Sequence, residues 1–217
     1  MDVAAFKRLP ILGILRGIEA EDLEPLIGAV ISAGLKTIEI TMNTPGAPAL
    51  IRRARELSAG RLTVGAGTVL DMESLMQALE SGATFIVMPT VVEDVLRYCR
   101  ERKIPVFPGA LSPQEIWRAW QAGATMVKVF PAKFFGPEYF QEIKGPFDTI
   151  ELLACGGVTP ENMGSYFSCG TSAVSFGASV FRRQWLQGKD FGSIAGSIRR
   201  YIQAWARIQS GSSCIDA

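Results

Sequence analysis

Short apolar runs rich in β-branched residues recur along the chain at nearly constant spacing, and stretches of helical periodicity fill the gaps. The runs fall at Ile11–Arg16, Thr37–Met42, Leu62–Val69 and Thr84–Pro89, then at Ile104–Ala110, Thr125–Pro131, Ile150–Gly157 and Ala173–Ser179. Their starts lie 20 to 26 residues apart. Between the first two, Leu23, Leu26, Ile27, Val30 and Ile31 repeat at helical spacing and Gly34 supplies a stop. Asp71 caps a helix that carries Leu75, Met76 and Leu79, Ser112-Pro113-Gln114-Glu115 is a capping box, and Thr159-Pro160 opens a later helix in the same way. Eight strand–helix units imply a parallel sheet, because each parallel crossover needs a helix, and eight strands close a cylinder. The expected fold is a single-domain α/β TIM (β/α)8 barrel over residues 1–217, with an N-terminal helix and a flexible tail at 208–217. An open doubly wound sheet is the competing architecture, but no G-x-G-x-x-G follows the first run.

Side chains alternate along a strand, so every second residue of a barrel strand enters the lumen. Within Met126–Phe130 the two valines would face the helices while Met126, Lys128 and Phe130 point inward. In the second run Thr37, Glu39 and Thr41 would do the same. A lysine and a glutamate on different strands would therefore share one enclosed space. Removing an ammonium from water costs several kcal/mol unless it is paired or neutralised, and desolvation should lower its pKa and free a nucleophilic amine. A buried Lys–Glu pair without chemistry is the competing reading.

Other polar groups gather where the strands end: Arg16 after the first, Thr68 after the third, Gly156-Gly157 after the seventh and Gly177-Ala178-Ser179 after the eighth. Glycines in the last two βα loops suit a phosphate cradle of backbone N–H groups, with Ser179 as an added donor. The chain has no histidine, which excludes a Ser-His-Asp triad, a His-ligated metal and imidazole acid–base catalysis. Lys+Arg number 22 against 21 Asp+Glu, so there is no basic footprint for nucleic acid or a membrane surface. Cys99, Cys155, Cys169 and Cys214 are scattered without a C-x-x-C and read as reduced thiols in a cytoplasmic protein. No signal peptide and no membrane span is expected.

With these residues in view, the chain resembles the class I 2-keto-3-deoxy-6-phosphogluconate (KDPG) and 2-keto-4-hydroxyglutarate aldolases and their 6-phosphogalactonate relatives, over about residues 9–205. The resemblance rests on ILRG at 14–17, EITMNTP at 39–45, GAGTV at 65–69, VMP at 87–89, FPGALSP at 107–113, VKVFPA at 127–132, GPF at 145–147 and CGGVTPEN at 155–162. It implies that Lys128 forms a Schiff base with the substrate ketone and that Glu39 moves protons. It also implies that Thr68 holds the pyruvyl carboxylate, that Gly156, Gly157, Gly177 and Ser179 cradle a phosphate, and that Arg16 clamps one of the two anions. Phe130 would shield the imine and Pro89 would wall the substrate. No metal or cofactor is implied, the ligands would be a phosphorylated keto sugar acid and pyruvate, and the assembly would be a homotrimer. Two positions depart from the gluconate-type pattern: Asn43 replaces an arginine, and Cys155 replaces a threonine that would touch the C4 hydroxyl. KDPG with broad tolerance is the expected substrate, with the phosphogalactonate analogue and 4-hydroxy-2-oxoglutarate open.

Lys133 is the runner-up nucleophile, Lys36 should lie exposed at the barrel bottom, and Lys144 should lie on a helix face. Trp117 and Trp120 read as packing or subunit contacts. A phosphosugar isomerase or epimerase using Glu39 as base, and a silent sugar-acid binding scaffold, are the readings from other classes.

Overall fold

The computed structural model describes residues 1–211. The chain runs α1 (Val3–Arg8), β1 (Ile11–Leu15), α2 (Leu23–Ser32), β2 (Thr37–Thr41), α3 (Ala47–Ser58), β3 (Thr63–Gly67) and α4 (Met72–Glu80). It continues through β4 (Ile86–Val87), α5 (Glu93–Glu101), β5 (Val106–Phe107), β6 (Gly109–Ala110), α6 (Pro113–Gln121) and β7 (Val127–Val129). The last part is α7 (Gly136–Lys144), β8 (Leu152–Cys155), α8 (Met163–Ser168), β9 (Ala173–Phe176), α9 (Arg183–Gln187) and α10 (Phe191–Gln209).

The strands lie in the order β5-β4-β3-β2-β1-β9-β8-β7-β6, all paired in parallel. β5 and β6 are two pieces of the fifth barrel strand, divided at Pro108, whose nitrogen carries no hydrogen to donate. The strand still serves both neighbours. Met88 N donates to Phe107 O on one side, while Lys128 N donates to Pro108 O at 2.8 Å and Phe130 N to Ala110 O on the other. The ring closes through this strand, which makes the sheet the expected eight-stranded barrel. The sixth strand of the sequence pattern is accordingly β7.

The expected parity holds. Val127, Val129, Ile38 and Ile40 join the cluster between sheet and helices, whereas Leu12, Phe85, Phe107, Met126 and Leu153 form a separate cluster inside the barrel. α1 crosses the bottom and adds Phe6 to the inner cluster, its ring centroid 6.0 Å from that of Phe107. Each fully buried phenylalanine contributes about 2–3 kcal/mol of burial free energy, so this plug keeps the lower lumen closed. Glycine makes the rest of the space. A Cβ on Gly65 would lie 2.5 Å from the Phe85 ring, and one on Gly109 would lie 2.2 Å from Pro89 O.

Asp71 and Ser112 cap α4 and α6 with reciprocal capping boxes, as their spacing implies. Three expectations need correction. The strands are shorter than the apolar runs, and most stop before the run does. Residues such as Arg16, Thr68 and Pro89 therefore sit just beyond the strands. The helix expected at Thr159-Pro160 starts at Met163: Thr159 and Asn162 first bond reciprocally through side chains and backbone, closing a turn ahead of it. Ile208 and Gln209, placed in the expected tail at 208–217, instead complete α10. Positions 212–217, with Cys214, lie outside the described residues. No helix among the described residues is long and apolar enough to cross a membrane.

Candidate active site

Parity brings Lys128 of β7 and Glu39 of β2 into the upper lumen, where their exposures fall to 7% and 1%. Space for the carboxylate exists because β3 presents glycine opposite it. A Cβ on Gly67 would stand 2.2 Å from Glu39 Oε1. Glu39 Oε2 is buried without a hydrogen-bond partner. Burial pushes the Glu39 pKa above the usual carboxylate range, and the charges of Lys128 and Arg16 offset this only partly.

Lys128 corrects one expectation. Burial works to lower its pKa, but Cys155 and Glu39 work the other way, and the balance lies above the ordinary lysine value. Desolvation alone would favour the neutral amine, but these neighbours favour retention of the proton. The reason is geometric: Cys155 projects into the lumen from β8 beside Lys128, and with Glu39 it outweighs burial and the opposing charge of Arg16. The Phe130 ring centroid lies 5.6 Å from Nζ and completes that environment.

Above Lys128 the lumen opens into a cavity of about 900 Å³. Ten of the expected site residues line it: Lys128 together with Arg16, Thr68, Pro89, Phe130, Cys155, Gly156, Gly157, Gly177 and Ser179, while Glu39 is buried outside the lining. Arg16 Nη2 donates to Thr68 Oγ1 at 3.3 Å, which aims a cation and a hydroxyl at one corner. Thr68 adopts φ +54°, an uncommon conformation for a β-branched residue. On the opposite wall Gly156 and Gly157 take successive positive φ values of +93° and +87°. A Cβ on Gly157 would lie 2.3 Å from Lys133 Cβ, so this bend tolerates no side chain. Ser179 stands exposed on the neighbouring loop.

Asn43 is the site residue that the fold does not bring in. It is exposed on the loop after β2 and does not line the cavity. Parity alone would point Asn43 inward like Thr41, but β2 ends at Thr41 and the chain turns there, Thr44 N donating to Thr41 O. Lys133 is also absent from the lining, its ammonium lying 5.2 Å from the Phe134 ring centroid. Lys36 is exposed, as expected. Lys144 does more than occupy a helix face: its ammonium donates to the carbonyls of Asp148 and Ile150.

Several lining residues were not foreseen. Ser175 follows from the parity of β9, since it lies two residues from inward-facing Ala173. Arg183 and Lys189 come from the α9 region, which carries no strand-like signal. Lys189 ties the two rims of the mouth together through ion pairs with Glu21 at 3.3 Å and Asp22 at 3.5 Å.

A buried lysine and carboxylate beneath a cavity with two anion-binding corners suit carbonyl chemistry on a keto acid. The profile of the family described as KDPG and KHG aldolase matches residues 3–196. The chain belongs to that family. It is thereby an aldehyde-lyase of the class I type. It is 32% identical over 199 residues to the 2-dehydro-3-deoxy-6-phosphogalactonate aldolase of Escherichia coli (strain K12), covering 91% of this chain and 97% of the relative. It is 36% identical over 161 residues to the 2-dehydro-3-deoxy-phosphogluconate aldolase of Pseudomonas aeruginosa, covering 74% and 71%. Among solved structures, one described as native KDPGal superposes with a TM-score of 0.87 at 30% identity, covering 94% of this chain and 97% of the other.

Proposed function

We propose that this family member is a Schiff-base aldolase that cleaves 2-keto-3-deoxy-6-phosphogluconate, and its C4 epimer 2-keto-3-deoxy-6-phosphogalactonate, to pyruvate and glyceraldehyde 3-phosphate. The observation that carries the reading is the confinement of Lys128 and Glu39 in one lumen below a cavity with an anion corner at either side.

The chemistry begins with a proton transfer. Lys128 rests as an ammonium and Glu39 is a buried carboxylate with raised proton affinity. Passing one proton between them through a bridging water yields a neutral amine and a neutral acid without leaving a net charge in a poorly solvated space. The amine adds to the C2 ketone. Glu39 then returns its proton to the carbinolamine hydroxyl, water leaves, and an iminium forms. The Glu39 carboxylate next takes the C4 hydroxyl proton, the C3–C4 bond breaks, and its electron pair enters the iminium to give an enamine. Protonation at C3 and hydrolysis release pyruvate and regenerate Lys128. The iminium does the work that a Lewis acid would do, so the scheme needs no metal or cofactor.

The remaining residues position the ends of the substrate. Arg16 and Thr68 take the carboxylate, since the 3.3 Å bond between them already presents two donors to one point. The loops of Gly156–Gly157 and Gly177–Ser179 take the phosphate. Phe130 covers the imine and Pro89 walls the chain. Cys155 faces C4, and a thiol reads a hydroxyl weakly, which supports tolerance of both epimers at a discrimination of about 1–3 kcal/mol or less. The high coverage of the phosphogalactonate relative supports inclusion of that epimer. 4-Hydroxy-2-oxoglutarate, which lacks the phosphate, would bind through the carboxylate corner alone. Side-by-side pyruvate-release assays on the two phosphorylated epimers test this reading; release from neither would refute it.

A homotrimer completes the proposal. Exposed Trp117, stacked on Phe147 at 5.5 Å, and exposed Phe134 and Phe135 are apolar surface that suits burial against another copy. Light scattering coupled to gel filtration measures the assembly. The free thiols Cys99, Cys155 and Cys169 accord with a cytoplasmic setting.

A further inference from the structure

The two glycine loops leave different strands, yet a phosphate needs donors from both to converge on one point. One buried side chain joins them from behind. Tyr201 of α10 is 2% exposed, and its hydroxyl donates to Val158 O at 2.8 Å, one residue beyond the Gly156-Gly157 bend. On the other loop the Ser179 side chain lies near enough to the phenol to lower its pKa against the upward push of burial. The Tyr201 ring packs on Phe176, the last residue of β9, at a centroid distance of 4.6 Å. Val158, Phe176 and Ser179 all line the cavity, whereas Tyr201 does not. Tyr201 therefore holds one wall of the cradle through its hydroxyl and packs through its ring on the strand that leads into the other, without reaching a ligand.

We propose that Tyr201 is a positioning residue for phosphate recognition, its hydroxyl setting the separation of the Gly156–Val158 and Gly177–Ser179 loops. The inference rests on the aldolase reading and on the glycine loops as the phosphate end of that site. A buried hydroxyl that holds a carbonyl beside a serine cannot be replaced by water without rearrangement, because burial leaves no room for one. Losing it leaves Val158 O unpaired and frees Ser179 to turn away. The carboxylate corner and Lys128 lie on other strands and would be unaffected.

The test is Tyr201→Phe in the full chain, measured with the 6-phosphorylated keto acid and with its unphosphorylated counterpart. Tyr166→Phe, another buried tyrosine, controls for loss of stability, since Tyr166 packs on Phe140 outside the cavity. For Tyr201→Phe the KM of the phosphorylated acid should rise about tenfold with kcat within twofold. Competitive inhibition by inorganic phosphate should weaken in parallel. The kcat/KM of the unphosphorylated acid, and borohydride trapping with pyruvate, should stay at the wild-type level. Equal losses for both acids, no change for either, or the same selectivity change in Tyr166→Phe would overturn the proposal. Wild-type protein that traps no pyruvate would instead refute the aldolase reading beneath it.

Discussion

Gly67→Ala separates the position of the Glu39 carboxylate from every other property of the site. The added Cβ would meet Oε1 at 2.2 Å and Cδ at 2.6 Å, against a floor near 3.0 Å for real contacts of this kind. The carboxylate must therefore move by about 1 Å, and the moving atoms are the end of a flexible side chain. That keeps the stability cost at the low end of overpacking, about 1 kcal/mol, and the smaller chain entropy of alanine offsets part of it. Catalysis should respond far more strongly, since a displacement of about 1 Å at a proton-transfer group costs on the order of 100-fold in rate. Lys128 stays in place, so pyruvate should still be trapped by borohydride. The assay is kcat by coupled pyruvate detection, beside the melting temperature and the trapped fraction. A folded Gly67→Ala protein with kcat within threefold of wild type would refute the claim that the carboxylate position matters.

Gly65→Ala should behave in the opposite way. Its Cβ would meet the Phe85 ring at 2.5 Å, and a packed aromatic cannot yield as a carboxylate can, so calorimetry should show a loss of about 2–3 kcal/mol or failure to fold. Glu39→Gln should change the pH dependence of stability. The raised pKa means that folding favours the protonated acid, a contribution present at low pH and lost as pH rises through the folded-state value. The stability gap between Glu39→Gln and wild type should therefore open in favour of the variant as pH rises past the ordinary carboxylate range; denaturant titrations across pH 4–8 at half-unit steps measure it. The Cys99 thiol, pushed up to about 12 by burial, should resist iodoacetamide in native protein at pH 8 while the more accessible Cys169 reacts, as read by peptide mapping.

Much of the fold was legible because two periodicities carried it. Spacing of the apolar runs indicated eight units, and period-two parity within Thr37–Thr41 and Met126–Phe130 put Glu39 and Lys128 in one lumen. Caps at Asp71 and Ser112 were equally local and held. What escaped was set by non-local contact. The division of the fifth strand at Pro108 depends on which neighbour each carbonyl serves, and the glycines at 65, 67 and 109 acquire meaning only from the side chain or backbone opposite. Asn43 was assigned to the site through family resemblance, although the chain turns out of the barrel before reaching it. The upward shift of the Lys128 pKa draws on Cys155 from the adjacent strand, whose proximity follows from register and not from any motif. Tyr201 lies on the last helix, where helical periodicity marks it only as core.

Borohydride reduction in the presence of pyruvate, followed by mass mapping, tests the central claim most directly. The account predicts one reduced pyruvyl adduct, on the peptide containing Lys128, absent from Lys128→Ala and still formed more slowly by Glu39→Gln. An adduct on Lys133, or a folded protein with no adduct on any lysine, would contradict it.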